Sequence, residues 1–198
     1  ALDALTPGRL TPPQVADAAH RVETEVLGRQ CGIQDQIASA YGGINYIEMP
    51  AYPQATVSPI RAPDPIWWEF ERRLLLVYLG KSHDSSAIHE SVIRALEDAG
   101  PDSPARALLR SQASRSRDSL LAGDFAGLGR AMTESTEAQA RLHPALVGPQ
   151  AREVIAIAKS YGALGWKVNG AGGEGGSLTL LCGANSAIKR DLVRDIEQ

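Results

Sequence analysis

The sequence predicts an α+β chain in which helices cover one face of an antiparallel sheet. Three observations carry that expectation. RLLLVYLG at 73–80 is a continuous apolar run of strand length. GWKV and SLTLL are two more apolar runs, separated by the glycine-rich turn inside KVNGAGGEGG at 167–176. Helical periodicity fills most of the rest and ends in an amphipathic helix with Ile188, Leu192, Val193 and Ile196 along one side.

Taken in order, Thr11-Pro12-Pro13-Gln14 reads as a helix start, with Thr11 as N-cap, proline in the first turn and Gln14 completing a capping box. Val15, Ala18, Val22 and Val26 then predict one apolar face, and Gly28 an end. A short helix is expected from Gln34 to Tyr41, stopped by Gly42-Gly43. INYIEM and ATVSPIRA read as strands among prolines 50, 53, 59 and 63, so their pairing is expected to be irregular or at an edge. APDPIWWEF, 62–70, reads as a proline-broken connection and a domain boundary, and RLLLVYLG as a strand buried on both faces. Helices are expected over 85–98, 103–122, 124–140 and 149–163, with SQASRSRDS, 111–119, polar enough for an exposed helical turn or loop.

Composition narrows the function. Twenty basic and 23 acidic residues in 198, net charge -3, give no electrostatic footprint for nucleic acid or an anionic membrane surface, so the expected partner is a small molecule. No apolar run approaches the roughly 20 residues that span a bilayer, and the N-terminus lacks a basic region followed by an apolar core. Cys31 and Cys182 have neither metal nor redox spacing and read as apolar filler. A cytoplasmic protein is expected.

Three stretches can carry chemistry. GRQCGIQDQIASAYGG, 28–43, sets Asp35 between two glutamines at a helix start, where a carboxylate either answers the helix dipole or accepts a proton. KVNGAGGEGG leads into a strand and not a helix, which excludes a dinucleotide fingerprint and leaves a tight turn or a ligand-lining backbone. LGKSHDSS, 79–86, fails as a P-loop because position 75 is Leu, yet Lys81, Ser82, His83, Ser85 and Ser86 follow a strand end and could meet an anion. A solvated loop is the other reading, and His83 and His89 are too loosely placed for a metal.

The first two stretches, in this order, resemble the GHMP kinases, which include galactokinase, homoserine kinase and mevalonate kinase relatives. The likeness is greatest to the sugar-kinase branch that holds the D-glycero-D-manno-heptose phosphate kinases. It runs from about residue 12 to the end. It implies the end of a ribosomal-protein-S5-like N-terminal domain over 1–66 and a ferredoxin-like C-terminal domain over 67–198. It further implies ATP and Mg²⁺ as cofactors and a sugar or sugar phosphate as acceptor, with a homodimer left open. By position, Asp35 matches the carboxylate that accepts or orients the acceptor hydroxyl, and Glu23 the magnesium ligand. Gly170, Gly172 and Gly173 match the loop walling the acceptor side of the cavity into which Asp35 would be aimed. Gln36, Tyr41 and Gly43 would lie near the sugar. Lys81 and Ser82 are assigned to a phosphate already on the substrate.

Two departures stand beside the likeness. Residues 1–10, ALDALTPGRL, do not supply the family's phosphate-binding loop, and the final helix stops where the family adds a strand. The expectation is a fragment trimmed at both ends. Glu174 stands where a small residue is usual. The alternatives are a non-catalytic module of the same fold that binds sugar or a partner chain, and a relative with different chemistry, such as a decarboxylase.

Overall fold

The computed structural model describes residues 10–80, 104–170, 172 and 175–197. They fall in two compact units divided between Arg61 and Ala62.

The first unit opens with α1, Pro12–Arg21. Gln14 Oε1 accepts from the Thr11 N–H at 2.8 Å and from the Thr11 hydroxyl at 2.9 Å, the back-reaching arm of the expected capping box. The helix does not continue evenly to Gly28. Val22–Val26 winds as a π-helical turn, closed by the Leu27 N–H on Val22 O at 3.0 Å, before Gly28 leaves at φ +64°. The expected apolar face is also not the buried one. Val26 is 75% exposed, whereas Ala16 and His20 are buried. Packing selects the small Ala16, and the Tyr52 hydroxyl draws His20 inward at 2.6 Å, so polarity did not reveal the face.

Helix α2 spans Gln34–Tyr41, as expected, and Gly42 and Gly43 leave it at positive φ. Strands β1, Ile44–Ala51, and β2, Gln54–Ile60, pair antiparallel with Ile44 opposite Ile60. A small core of Ala16, Ile33 and Ile37 lies between them and the helices, with Tyr41, Ile47 and Val57 packed against it.

The second unit starts with a correction. The stretch 62–70 is no connection, because α3 runs Asp64–Arg73. Pro63 holds the N-cap position and Pro65 the first turn, where a missing N–H costs no bond. Strand β3, Leu74–Tyr78, is the edge of a three-stranded antiparallel sheet of order β3-β5-β4, with β4 at Gly165–Val168 and β5 at Ser177–Leu181. It is not buried on both faces: Leu76 is 67% and Tyr78 66% exposed, while Leu75 and Val77 turn to the core. The most buried strand is the central one, β5, whose Leu178, Leu180 and Leu181 are fully buried.

Helix α4, Pro104–Leu121, contains 111–119, where Ser111, Ala113, Arg115 and Asp118 are exposed, so of the two expectations the exposed helical one holds and the loop does not; Gln112 is the buried residue of the stretch. Helix α5, Phe125–Leu142, is capped by Asp124, whose Oδ1 accepts from the Gly127 N–H at 2.8 Å. A 3-10 turn at Pro144–Leu146 leads to α6, Pro149–Ser160, and the chain closes with α7, Ser186–Ile196. The expected helix over 85–98 lies outside the described residues. Val168, Leu178 and Leu180 form the core with Ala151, Ile155 and Ala158 of α6 and Leu192 of α7. The chain is therefore α+β, and α6 and α7 cover one face of the sheet. Among the described residues no helix is long and apolar enough to cross a membrane.

Helix α5 lies along the outer edge of β4. A Cβ on Gly165 would stand 2.0 Å from Gly129 O, so the two backbones meet there without side chains between them. Two turns further along α5, Thr136 Oγ1 accepts from the Val168 N–H at 3.3 Å and lies 3.2 Å from Trp166 O, occupying the edge a neighbouring strand would otherwise pair.

Candidate functional site

In the first unit the π-helical turn presents Glu23 to α2. Gln36 is buried, and its Nε2 donates to Glu23 Oε1 at 2.9 Å. Because the Glu23 carboxylate can only accept, it is Nε2 that faces it, and Oε1 is left buried with no partner among the described residues. Cys31 is half-buried in this cluster. Burial pushes its thiol up first, and a hydrogen bond to Glu23, the Glu23 charge and the Asp35 charge add to that; a contact with Gln36 pulls weakly the other way. The thiol therefore stays protonated and donates to Glu23, so Cys31 is not inert filler; Cys182 is buried as expected. Behind it, the Tyr52 hydroxyl donates to Cys31 O at 3.1 Å, which leaves His20 Nε2 to donate to Tyr52.

Asp35 is the second residue of α2, exposed, and makes no hydrogen bond to a described residue. It caps nothing. Its carboxylate answers the positive end of the helix dipole and is open to a further partner, and within its own unit it is not enclosed. Tyr41 packs on the small core, and Gly43 is exposed at φ +64° with open space where a Cβ would stand.

In the second unit the strand pair β4 and β5 carries the glycine turn. Gly170 is exposed at φ +60°. Gly172 is buried at φ +61°, and a Cβ there would stand 2.0 Å from Leu146 O, so both its conformation and its surroundings require glycine. Lys167 lies on the outward face of β4, opposite Thr179. Its Nζ donates to Gln139 Oε1 at 2.6 Å and to Val168 O at 2.5 Å. Burial alone pushes this ammonium down to about 8. Gln139 Nε2 then donates to Gly170 O at 3.0 Å.

This architecture has relatives. Residues 116–194 match the family described as GHMP kinases C terminal. The matched residues all lie in the second unit, which in this stretch is similar to that C-terminal domain. A D-glycero-alpha-D-manno-heptose 7-phosphate kinase of Campylobacter jejuni is 26% identical over 162 residues, 82% of this chain and 48% of that protein. Solved structures agree on the GHMP kinase fold. A D-glycero-D-manno-heptose 1-phosphate kinase from Bacteroides thetaiotaomicron superposes with TM-score 0.66 at 23% identity, over 98% of this chain and 51% of the other. L. major mevalonate kinase, solved with R-mevalonate, gives TM-score 0.71 at 22% identity, over 95% and 54%. The chain thus spans about half the length of these relatives.

Of the residues singled out from sequence, the first unit brings Glu23 and Gln36 into contact and leaves Asp35 exposed beside them in sequence; the second builds Gly170 and Gly172 into one turn. Lys81, Ser82 and Gly173 lie outside the described residues. The sequence reading missed Cys31 as a partner of Glu23, and it missed Lys167, Gln139 and Thr136. A lysine inside the apolar strand GWKV was the available signal for one of them.

Proposed function

We propose that this chain belongs to a small-molecule kinase that transfers the γ-phosphoryl of ATP to a hydroxyl of a sugar or sugar phosphate, of heptose phosphate type. The observation that carries the reading is the first unit's carboxylate pair. Glu23 is held in place by a buried amide, while Asp35 is exposed at a helix start and makes no hydrogen bond to a described residue. Phosphoryl transfer asks a protein for that division of labour, one carboxylate to meet a cation and another to accept or orient the proton of the attacking hydroxyl.

Among the described residues no three His, Cys, Asp or Glu side chains form a metal cage. Magnesium needs less than a cage: one or two carboxylates with phosphate oxygens and water. Glu23 fits that part, and the cation would neutralise phosphate charge. Gln36 acts by holding Glu23, and Tyr41 by bracing α2. Gly43 lies near the sugar, and Gly170, Gly172 and Gly173 bring backbone close to the acceptor. Lys81 and Ser82 take a phosphate already on the substrate.

The test is phosphorus NMR of ATP incubated with magnesium and a panel of hexoses, heptose phosphates, mevalonate and homoserine. A new phosphate ester on a sugar or sugar phosphate supports the proposal. An ester on mevalonate or homoserine alone would move the acceptor to another class. Sugar binding without ATP consumption would replace the kinase with a binding module.

A further inference from the structure

We propose that Gln139 and Lys167 are positioning residues that clamp the entry of the glycine turn and so set the backbone that faces the acceptor. The clamp rests on the reading of that turn as an acceptor wall; its geometry does not. Lys167 can only donate, so the Gln139 atom 2.6 Å from its Nζ must be the amide oxygen. That fixes the rotation of the amide and turns Nε2 toward Gly170 O, which it meets at 3.0 Å. A second donation from Lys167, to Val168 O, ties the same ammonium to the strand just before the turn. Thr136, one helical turn before Gln139 on α5, holds the Val168 N–H.

An 18-residue helix therefore splints one strand end, and the splint finishes on the first glycine of the turn. From the other side, Gly172 rests against Leu146 O with no room for a side chain. The arrangement is costly, since a half-buried ammonium bonded to an amide and a carbonyl, both neutral, has no ion-pair partner among the described residues. A methionine of similar length would spare the fold that cost. What the lysine supplies, and a methionine would not, is the donor that fixes the Gln139 amide.

The test is amide hydrogen exchange across 170–177 in the intact chain without substrate, read beside thermal melting. Gln139→Glu is the decisive variant. It keeps an acceptor for Lys167 and adds a counter-charge, so melting should hold or rise, yet it replaces the donor to Gly170 O with a second acceptor. The turn amides are expected to exchange roughly three- to tenfold faster, the loss of about one hydrogen bond. Lys167→Met should loosen the turn less, because the freed amide can still reach Gly170 O in one of its two orientations. Lys167→Arg should restore protection. Unchanged exchange in Gln139→Glu with the fold intact would overturn the clamp. A turn that loosens as expected in a chain without kinase activity would sink the functional reading and leave the clamp standing.

Discussion

The two units hold their polar groups in opposite ways. In the first, charge is kept available: Glu23 is steadied by an amide and a thiol, and Asp35 is exposed. In the second, among the described residues, neutral partners satisfy the groups around the glycine turn, and the Lys167 ammonium is bonded to an amide and a carbonyl. A carboxylate that must exchange a proton needs access to a partner. A backbone that must lie close to a ligand needs to be fixed beforehand. On the proposed reading, chemistry falls to the first unit and positioning to the second, and each predicts its own response to substitution.

Two glycines with nearly the same φ expose that contrast most strongly. Gly172→Ala forces a Cβ to 2.0 Å from Leu146 O as well as a left-handed alanine, and should cost at least about 3 kcal/mol in urea unfolding. Gly43→Ala, at φ +64° in open space, should cost only about 1 kcal/mol. Equal costs would break the comparison, because the second unit would then be no more tightly built around its turn.

Lys167 gives the next effect. Its folded value near 8 lies below the usual 10.5, so the folded chain releases this proton first as pH rises. Between those values the unfolded chain binds more protons, and stability should climb with pH across that window by at most about 3 kcal/mol. The burial penalty is fully felt below pH 8. Chemical denaturation at pH 7.5, 8.5 and 9.5 reads the slope, and Lys167→Met should flatten its contribution. Thr136→Val leaves the Val168 N–H and Trp166 O without the hydroxyl between them and should cost about 1 kcal/mol by thermal melting.

How much of this could be seen in the sequence depended on the range of the interaction. Helix α2 was legible to its ends because Gln34–Tyr41 is followed at once by two glycines. The glycine turn was legible as a turn, but the reason for Gly172 was not, since Leu146 lies far from it in sequence. RLLLVYLG was misread because an edge strand in a sheet covered on one face can match a central strand in composition, and only pairing order tells them apart. Prolines at 63 and 65 looked like breakers but serve as a helix start, where proline is harmless. The π-helical turn that presents Glu23 leaves no periodic trace, and the Lys167 to Gln139 bond joins residues 28 apart. Within the first unit, Asp35 was singled out from local pattern and family likeness together; neither disclosed that it would be exposed.

The claim beneath the functional reading is that Asp35 handles the proton of the acceptor hydroxyl and does nothing for the fold. Steady-state turnover of ATP with a heptose phosphate, wild type against Asp35→Asn, tests it most directly when melting is recorded on the same samples. The account predicts a loss of at least about a hundredfold in kcat, with stability moving by no more than about 1 kcal/mol. Turnover that survives Asp35→Asn undiminished would contradict it.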